Sequence, residues 1–401
     1  MELSPYQKRL VVFLSVATFF EGYDFIALSQ LLPGLRQEFG LSKWQGGAMV
    51  GAINVGTMLA ALLVRKADVW GRRKVLAVTI MGYTLCSLAT AFAPEVYSFS
   101  VLQMLARVFL LGEWAIAMVY AAEEFPAERR GVVIGVIQGF AALGSVVCAG
   151  VVPMLLRTSM GWRSVYLVGA IPLVLMAFAR RNIRETRRFE SAAAPERASL
   201  TALLFGPWRS RVLLVAACWF FTYACTQTAI TYWKEFAMAE RGFTDKAVGG
   251  AVALAAVASM PLVFASGKLI DVIGRRMGAA IIFSITSLGV VLSYNLHGRF
   301  ALTGALVLTI FGTSAVLPVL NAFTSELFPT EMRADAFALA NNVLGRTSYV
   351  AAPFLVAALA ERTPWSVAVS LTALGPLLAL AVILAKLPET RGRELEDTAR
   401  V

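Results

Sequence analysis

Four ionisable residues stand inside long apolar stretches of this chain: Glu21 and Asp24 in one stretch, and Arg107 and Glu113 in another. An ionisable group at the middle of a bilayer is costly, so each such residue is a candidate for function. Glu21 and Asp24 are three residues apart, which places them on one face of a helix. We expect Glu21, Asp24 and Glu113 to carry protons, because an apolar cavity favours a protonated carboxyl and a nearby arginine favours the ionised form.

The sequence leaves two functional roles open for Arg107. Its guanidinium could bind an anionic group of a substrate, or it could hold a carboxylate of the stretch that carries Glu21 and Asp24. In a third interpretation, these charges form a permanent buried pair that only specifies packing. We favour function, because three or four charges are too many to bury for packing alone.

The second half of the chain also carries polar residues within apolar stretches. Arg346 could be a second anion contact, or it could pair with a neighbouring helix. Gln227 and Asn321 are weaker candidates for substrate binding, because an isolated polar side chain in such a helix more often bonds to another helix.

Helices that cross a membrane must position these residues. Of the 401 residues, 58% are hydrophobic and only 15% are charged, whereas soluble domains are about a quarter charged. Apolar runs of about 20 residues can span a bilayer as helices. In the fifth run, Gly135, Gly139 and Gly144 indicate close helix packing. The sequence predicts an all-α membrane protein with twelve transmembrane helices, at residues 10–32, 46–64, 75–93, 98–122, 132–155, 164–180, 212–233, 248–267, 278–296, 301–324, 336–359 and 366–386.

The chain repeats itself about halfway along. Three short segments recur in the same order, two of them 203 residues later and the third 204 residues later. Such a repeat predicts two pseudo-symmetric six-helix bundles, at residues 1–180 and 211–401, joined by a cytoplasmic linker at residues 181–210. The matched residues are Asp68, Gly71, Arg72 and Arg73 with Asp271, Gly274, Arg275 and Arg276; Glu123 and Arg130 with Glu326 and Arg333; and Glu185 with Glu389.

The net charge of +11 is explained by topology rather than by nucleic acid, for which we predict no binding. Lysine and arginine are concentrated in the loops on the side of the N-terminus, in the linker and in the C-terminal tail. The positive-inside rule then places both termini in the cytoplasm, as an even number of spans requires. We expect an integral protein of a bacterial inner membrane. The arginines of the linker could contact anionic lipid headgroups, or the linker could simply be solvated.

Residues for enzymatic chemistry are missing from the sequence. There is one histidine, the four cysteines all fall within predicted spans, and no nucleotide-binding loop or Ser/His/Asp set is present. We therefore predict no enzyme activity, no metal and no cofactor.

The repeated loops resemble those of the major facilitator superfamily, in which the loop after the second helix reads Gly-x-Leu-Ala-Asp-Arg-x-Gly-Arg-Arg. The second copy, from Gly267 to Arg276, fits this pattern well, whereas the first copy departs from it with Val64 for Gly and Lys66 for Leu. Pro388-Glu389-Thr390-Arg391-Gly392 is similar to the sugar-porter-like branch. Glu21-Gly22-Tyr23-Asp24 and Gly112-Glu113-Trp114 resemble segments of aromatic-acid and metabolite proton symporters.

The repeat and the resemblance together predict a charge cluster on the cytoplasmic side of each half. Such clusters could latch an inner gate, or the arginines could only fix topology; the repeated acids favour the latch. The gate residues are Asp68, Gly71, Arg72, Arg73, Glu123, Arg130 and Glu185 in the first half, and Asp271, Gly274, Arg275, Glu326, Arg333 and Glu389 in the second.

The sequence therefore predicts a secondary active transporter that takes up a small organic anion together with protons, by alternating access. Export of a drug or metabolite against a proton gradient is the first alternative. A membrane sensor or assembly protein that transports nothing is the second. The resemblance implies a monomer.

Overall fold

The computed structural model describes residues 4–125, 127–170 and 200–391, and within these ranges it contains helices and no strand. The first half comprises α1 (Pro5–Glu38), α2 (Lys43–Trp70), α3 (Arg72–Thr90), α4 (Val96–Glu124), α5 (Ala127–Leu155) and α6, described over residues 163–170. The second half comprises α7 (Leu200–Phe205), α8 (Arg209–Thr231), α9 (Trp233–Ala239), α10 (Asp245–Ile273), α11 (Arg275–Asn295), α12 (Arg299–Glu326), α13 (Thr330–Phe337), a π-helix (Ala338–Gly345), α14 (Thr347–Ala360), α15 (Trp365–Ser370), a 3-10 turn (Leu371–Ala373) and α16 (Leu374–Lys386).

The membrane-spanning character of the helices follows from their length and composition. Within the described ranges, 10 helices are long and apolar enough to cross a bilayer. Two predicted spans are not among them: α3 occupies the place of the third, and α6 begins the sixth but leaves the described residues after residue 170. The predicted all-α membrane fold is confirmed, and the helices agree with an arrangement of twelve spans.

The eleventh predicted span is not one regular helix. It begins as α13, continues as the π-helix and ends as α14. The backbone N–H of Arg346 bonds to the carbonyl of Asn341 at 3.1 Å, five residues back rather than four. A π-helical turn inside an α-helix often marks a functional position, and apolar periodicity alone does not reveal it.

The described chain forms two compact units, Met1–Leu41 with Ala52–Pro195, and Ser42–Gly51 with Glu196–Val401. The first ten residues of this second unit therefore come from the start of α2 and its preceding turn. The predicted linker lies mostly outside the described residues, although its last part contains α7, in which Leu203 is buried.

In the first unit, α1 packs along α5 at very short distance. A Cβ atom on Gly22 would lie 1.8 Å from the carbonyl oxygen of Ala141, and one on Gly144 would lie 1.9 Å from that of Phe19. The prediction of close packing is thus confirmed for Gly144. In the described part of the chain it is wrong for Gly135 and Gly139, where a Cβ would meet no described atom within 4 Å, because a glycine pattern does not show which face meets a neighbour.

The core of the second unit is built around α8. Trp219 is the largest side chain there, and its ring lies 5.0 Å from that of Tyr223, measured between centroids. The indole N–H of Trp219 donates to the hydroxyl of Thr324 on α12 at 3.0 Å. These contacts hold α8 against α12 and the π-helix, which places Tyr223 beside Asn341.

Candidate functional site

Asp24 and Arg107 come together in the first unit. Both are deeply buried, with 3% and 5% of their surfaces exposed. The hydroxyl of Tyr83 on α3 donates a hydrogen bond to Asp24, and the charge of Arg107 acts on the same carboxylate. Of the two roles that the sequence leaves open for Arg107, this arrangement favours an interaction with an acid of α1, since the charge of Arg107 acts on Asp24 although no described ion pair joins them.

The packing of α1 on α5 fixes where Asp24 points. The hydroxyl of Ser145 donates to the carbonyl of Gly22 at 2.9 Å, and the hydroxyl of Tyr23 donates to the carbonyl of Val165 on α6 at 3.3 Å. Because the two residues directly before Asp24 are anchored, the α1 backbone cannot turn freely at Asp24. Sequence reasoning missed Tyr83, for which a lone tyrosine in an apolar helix is the only signal.

Glu21 and Glu113 line a narrow cavity between α1 and α4. Glu113 is buried, with 3% of its surface exposed, and neither carboxylate oxygen has a hydrogen-bond partner in the part of the chain that the structure describes. The charge of Glu21 acts on it. The cavity thus holds two of the three predicted proton carriers, whereas Asp24 lies in the other cluster. The lining residues are Ala17, Thr18, Glu21, Leu110, Glu113, Trp114 and Ala117.

In the second unit, Arg346 lies beside Tyr223 and Asn341. The hydroxyl of Tyr223 donates to the side-chain oxygen of Asn341 at 2.9 Å and accepts a hydrogen bond from Arg346. Nε of Arg346 is buried and has no partner among the described residues, and no described carboxylate forms an ion pair with this guanidinium. The site therefore contains a positive charge that the described part of the unit does not neutralise.

Two further aromatic rings pack against Tyr223, the tyrosine to which Arg346 bonds. The ring of Tyr349, one turn after Arg346 on α14, lies 4.7 Å from the ring of Tyr223. Tyr223 in turn packs on the buried Trp219. Tyr349 is only partly buried, so one part of its ring remains accessible. Sequence reasoning missed Tyr349, although its spacing of three from Arg346 on a helix could have indicated a shared face.

The two weaker candidates for substrate binding, Gln227 and Asn321, have no described bond to Arg346. Gln227 is buried one turn beyond Tyr223 on α8. Asn321 is exposed on α12, three residues before the Thr324 that bonds Trp219. Their role in substrate binding stays a prediction.

The gate cluster of the second unit centres on Arg275. Its guanidinium contacts Asp271 at 3.0 Å and Glu326 at 3.0 Å. The Thr390 hydroxyl donates a short hydrogen bond to Glu326. These contacts join the ends of α10, α11 and α12 to the segment after α16, all within one unit.

Glu389 caps the N-terminus of α11. Its carboxylate accepts hydrogen bonds from the backbone N–H groups of Arg275 and Arg276, both at 2.9 Å, where the helix dipole favours a negative charge. Gly274 has φ of 99°, and a Cβ there would lie 3.0 Å from the carboxylate. Glycine therefore permits both the backbone turn and the approach of Glu389.

The same bonds explain the acidity of Glu389. Partial burial raises its pKa, but hydrogen bonds from the backbone N–H groups of Arg276, Arg275, Arg391 and Thr390 more than offset this, so its pKa is lowered. The carboxylate thus stays ionised at neutral pH, as a helix cap requires.

The first unit repeats part of this cluster. Arg72 contacts Glu123 at 3.4 Å and donates to the carbonyl of Ala67 at 3.4 Å, as Arg275 contacts Glu326 and the carbonyl of Ile270. Gly71, like Gly274, has a positive φ.

The remaining predicted gate residues lie in both units. Arg73 lies next to Arg72 at the start of α3, and Arg333 of the second unit donates to the carbonyl of Phe328 at 3.4 Å. The side chains of Asp68 and Arg130, and the whole of Glu185, lie outside the described residues.

Comparison with known proteins decides the family. The family model described as Major Facilitator Superfamily matches residues 14–345 and, in a second match, residues 220–400. The chain belongs to the Major Facilitator Superfamily. Two overlapping matches that together cover nearly the whole chain agree with the internal repeat.

Relatives of similar length support this assignment. A protein of Bacillus subtilis (strain 168), named as a niacin/nicotinamide transporter, is 27% identical over 97% of this chain and 98% of its own length. A protein of Cupriavidus pinatubonensis, named as a 4-methylmuconolactone transporter, is 29% identical over 98% and 93%. The crystal structure of a D-xylose–proton symporter matches with a TM-score of 0.79 and 17% identity over 97% and 99%, which shows a shared fold.

This superfamily member is an integral membrane protein and a secondary transporter of small molecules, not an enzyme. The residues with the chemistry to serve transport are the two clusters of the first unit and the Arg346 cluster of the second. Within the described ranges, no three His, Cys, Asp or Glu side chains come together as a metal site would require.

Proposed function

We propose that this protein takes up a small organic anion together with protons, and that Arg346 contacts the anion. The observation that carries the proposal is the uncompensated guanidinium beside Tyr223 and Asn341. An arginine within a membrane helix is costly unless it is paired. Because no described carboxylate pairs with Arg346, a carboxylate supplied by the substrate would complete the site.

The surroundings of Arg346 favour an anion that carries a flat ring. Tyr349 is partly buried and packs on Tyr223, which accepts a hydrogen bond from the guanidinium, and aromatic pairs are stabilised beyond the area that they bury. The substrates in the names of the two relatives, niacin/nicotinamide and 4-methylmuconolactone, are small ring compounds, which supports the same choice. Gln227 and Asn321 are proposed as secondary contacts.

Proton coupling is proposed for the acids of the first unit. Asp24 is held by Arg107 and Tyr83, so a proton on Asp24 would release the guanidinium for another anion. Glu21 and Glu113 supply further carboxylates for proton binding. Exposure of these groups first to one side of the membrane and then to the other would couple proton release to anion release, which is what alternating access requires.

The remaining proposals concern the membrane and its topology, the gate, the lipid contacts and the oligomeric state. We place the protein in a bacterial inner membrane with both termini in the cytoplasm, on the distribution of lysine and arginine. The charge clusters around Arg72 and Arg275 are proposed as the cytoplasmic gate. The linker arginines are proposed to contact anionic lipid, and the transporter to act as a monomer.

A thermal-shift screen of the purified protein at mildly acidic pH tests the substrate proposal. The panel contains benzoate, cyclohexanecarboxylate, D-xylose and tetraphenylphosphonium, run on wild type, Arg346→Gln, Arg107→Gln and the exposed control Arg362→Gln. We expect stabilisation by benzoate that Arg346→Gln abolishes and Arg362→Gln preserves. Stabilisation only by the sugar, or by the cation, would instead identify a sugar carrier or a cation exporter.

A further inference from the structure

The cavity between α1 and α4 differs from the Asp24 cluster in one physical respect. Asp24 has a hydrogen bond from Tyr83 and the positive charge of Arg107. Glu113 has neither: both of its oxygens are buried and without a hydrogen-bond donor among the described residues. A buried carboxylate cannot remain ionised without a donor or a counter-charge, so it takes up a proton or a cation.

The ionisable groups around Glu113 all favour the loss of its negative charge. Glu21 on α1 faces it across the cavity, and its charge repels that of Glu113. Tyr83 on α3 is electrostatically coupled to Glu113 but gives its hydrogen bond to Asp24. Among the described residues, none of α5 lines the cavity. Two carboxyl groups in one such site cannot both be ionised at low cost.

Arg107 does not serve this cavity. It lies six residues before Glu113 on α4, which separates the two side chains by about 120° around the helix. Its charge acts on Asp24, Tyr83 and Tyr166. The residues of α4 that line the cavity are Leu110, Glu113, Trp114 and Ala117, a separate stripe of the helix. The two acid clusters are therefore built as two sites.

We infer that Glu113 and Glu21 form a second ion-binding site that holds one proton between them, in addition to the site at Asp24 and Arg107. Binding forms an O–H bond on one of the two carboxyl groups with a proton taken from water, and release returns it to water. The proton site itself does not depend on the proposed function. Only its consequence for the stoichiometry of transport rests on that function. If both sites load in one cycle, two protons accompany one monovalent anion and the cycle carries one net positive charge.

Infrared spectroscopy of the full-length protein in lipid vesicles tests the site without any substrate, because a protonated carboxyl group has a carbonyl stretch distinct from that of a carboxylate. We expect wild type at pH 7 to show a protonated-carboxyl band that Glu113→Gln lacks. Asp24→Asn should retain this band. Glu21→Gln should retain it but lose it at lower pH than wild type, because no neighbouring charge then opposes ionisation of Glu113.

Two results would overturn the inference. One is a protonated-carboxyl signal that is the same in wild type and Glu113→Gln, with both variants monodisperse and equally stable. The other is stabilisation by sodium chloride over choline chloride that disappears in Glu113→Gln, which would identify a sodium site instead of a shared proton. If the band behaves as expected but a proton gradient drives no anion uptake, the proposed function fails and the proton site stands.

Discussion

Arg107 and Arg346 both lie within predicted membrane spans, but their electrostatic surroundings differ. Neither has a described ion pair, but the charge of Arg107 acts on the carboxylate of Asp24, whereas Arg346 bonds to the hydroxyl of Tyr223 and no described carboxylate is shown to act on it. A compensated arginine can exchange partners during a transport cycle, and an uncompensated one needs an anion from outside. We therefore propose anion binding for Arg346 and coupling for Arg107.

Replacement of Arg346 tests this assignment. We expect Arg346→Gln to weaken benzoate binding by about tenfold to a hundredfold, the loss of a hydrogen bond to a charged group. Arg346→Lys should lose less, because it keeps the charge but not the planar fork of donors. Isothermal titration calorimetry measures both, with Arg362→Gln as the matched control. Unchanged affinity in Arg346→Gln would remove this residue from the site.

Tyr349 should determine the preference for an aromatic ring. We expect wild type to bind benzoate about threefold to tenfold more tightly than cyclohexanecarboxylate, which has the same charge but no aromatic face. Tyr349→Leu should bring the two affinities together by weakening benzoate alone. Competition against a labelled aromatic acid gives the ratio directly. A ratio that Tyr349→Leu leaves unchanged would show that the ring lies elsewhere.

For individual residues, the sequence predicted which ionisable side chains lie in the membrane spans but not which partners they have. The cost of a charge in an apolar stretch singles out Asp24, Arg107, Glu113 and Arg346 without any structure. Which acid the charge of Arg107 acts on depends on the rotation of α1, and that rotation is set by hydrogen bonds with the side chain of Ser145 on α5 and the backbone carbonyl of Val165 on α6. No local pattern at Glu21 and Asp24 distinguishes the acid that pairs from the acid that lines the cavity.

The helices of the first unit place those acids through close backbone packing. Gly22 and Gly144 let α1 approach α5 so closely that a methyl group at either position would collide with a carbonyl oxygen. A larger residue is therefore costly at Gly22 or Gly144, and it is tolerated at positions of α5 where no described atom lies close by. Apolar periodicity predicted that α1 and α5 exist but could not predict this contact, because it depends on which face is turned to the neighbour.

Two alanine substitutions on α5 compare a tightly packed glycine with a glycine that has no described neighbour. Gly144→Ala should destabilise the protein by about 1–3 kcal/mol, the cost of overpacking a tight contact. Gly139→Ala should be neutral or stabilising by up to about 1 kcal/mol, because alanine favours a helix and nothing obstructs its methyl group. Thermal unfolding in a single detergent compares them. Equal stability of the two variants would contradict the packing described.

The N-terminus of α11 depends on the ionised form of Glu389. We expect Glu389→Gln to lower stability at pH 7 by about 1 kcal/mol, the usual effect of losing a helix cap. Since folding lowers the pKa of Glu389, its contribution is complete above the unfolded pKa of about 4.3 and disappears as pH falls through the folded pKa.

Unfolding midpoints of wild type and Glu389→Gln, measured from pH 7 down to pH 4 and below, should therefore converge at the acid end. Glu389→Asp is a useful companion, because it keeps the charge on a shorter side chain. A difference between wild type and Glu389→Gln that stays constant or grows as the pH falls would show that the carboxylate does not act as the cap.

Across the whole molecule, the internal repeat produced similar gate clusters but different membrane sites. Arg72 with Glu123 and Arg275 with Glu326 are equivalent contacts in the two units. The acids, by contrast, belong to the first unit and the aromatic arginine site to the second. The repeated charge pairs are thus shared by the two units, whereas the proposed proton and anion sites are not.

The overall architecture could be predicted from the sequence because it follows from composition and repetition. Apolar run lengths gave the helices, and the offset of 203 residues gave the two halves. The π-helix before Arg346 could not be predicted, because its hydrogen-bond pattern has no signature in apolar spacing. It also alters the register of the eleventh span, where the proposed anion contact lies.

We propose that a proton gradient drives uptake of an organic anion through Asp24, and transport into vesicles tests this most directly. We would reconstitute wild type and Asp24→Asn in proteoliposomes and measure labelled benzoate inside them under an inward proton gradient. Empty liposomes correct for passive entry of the neutral acid. We predict accumulation above this background by wild type, its loss in Asp24→Asn, and preserved exchange of benzoate in the variant without a gradient. Accumulation by wild type that is independent of the proton gradient, or that Asp24→Asn retains in full, would show that Asp24 does not couple proton entry to anion uptake.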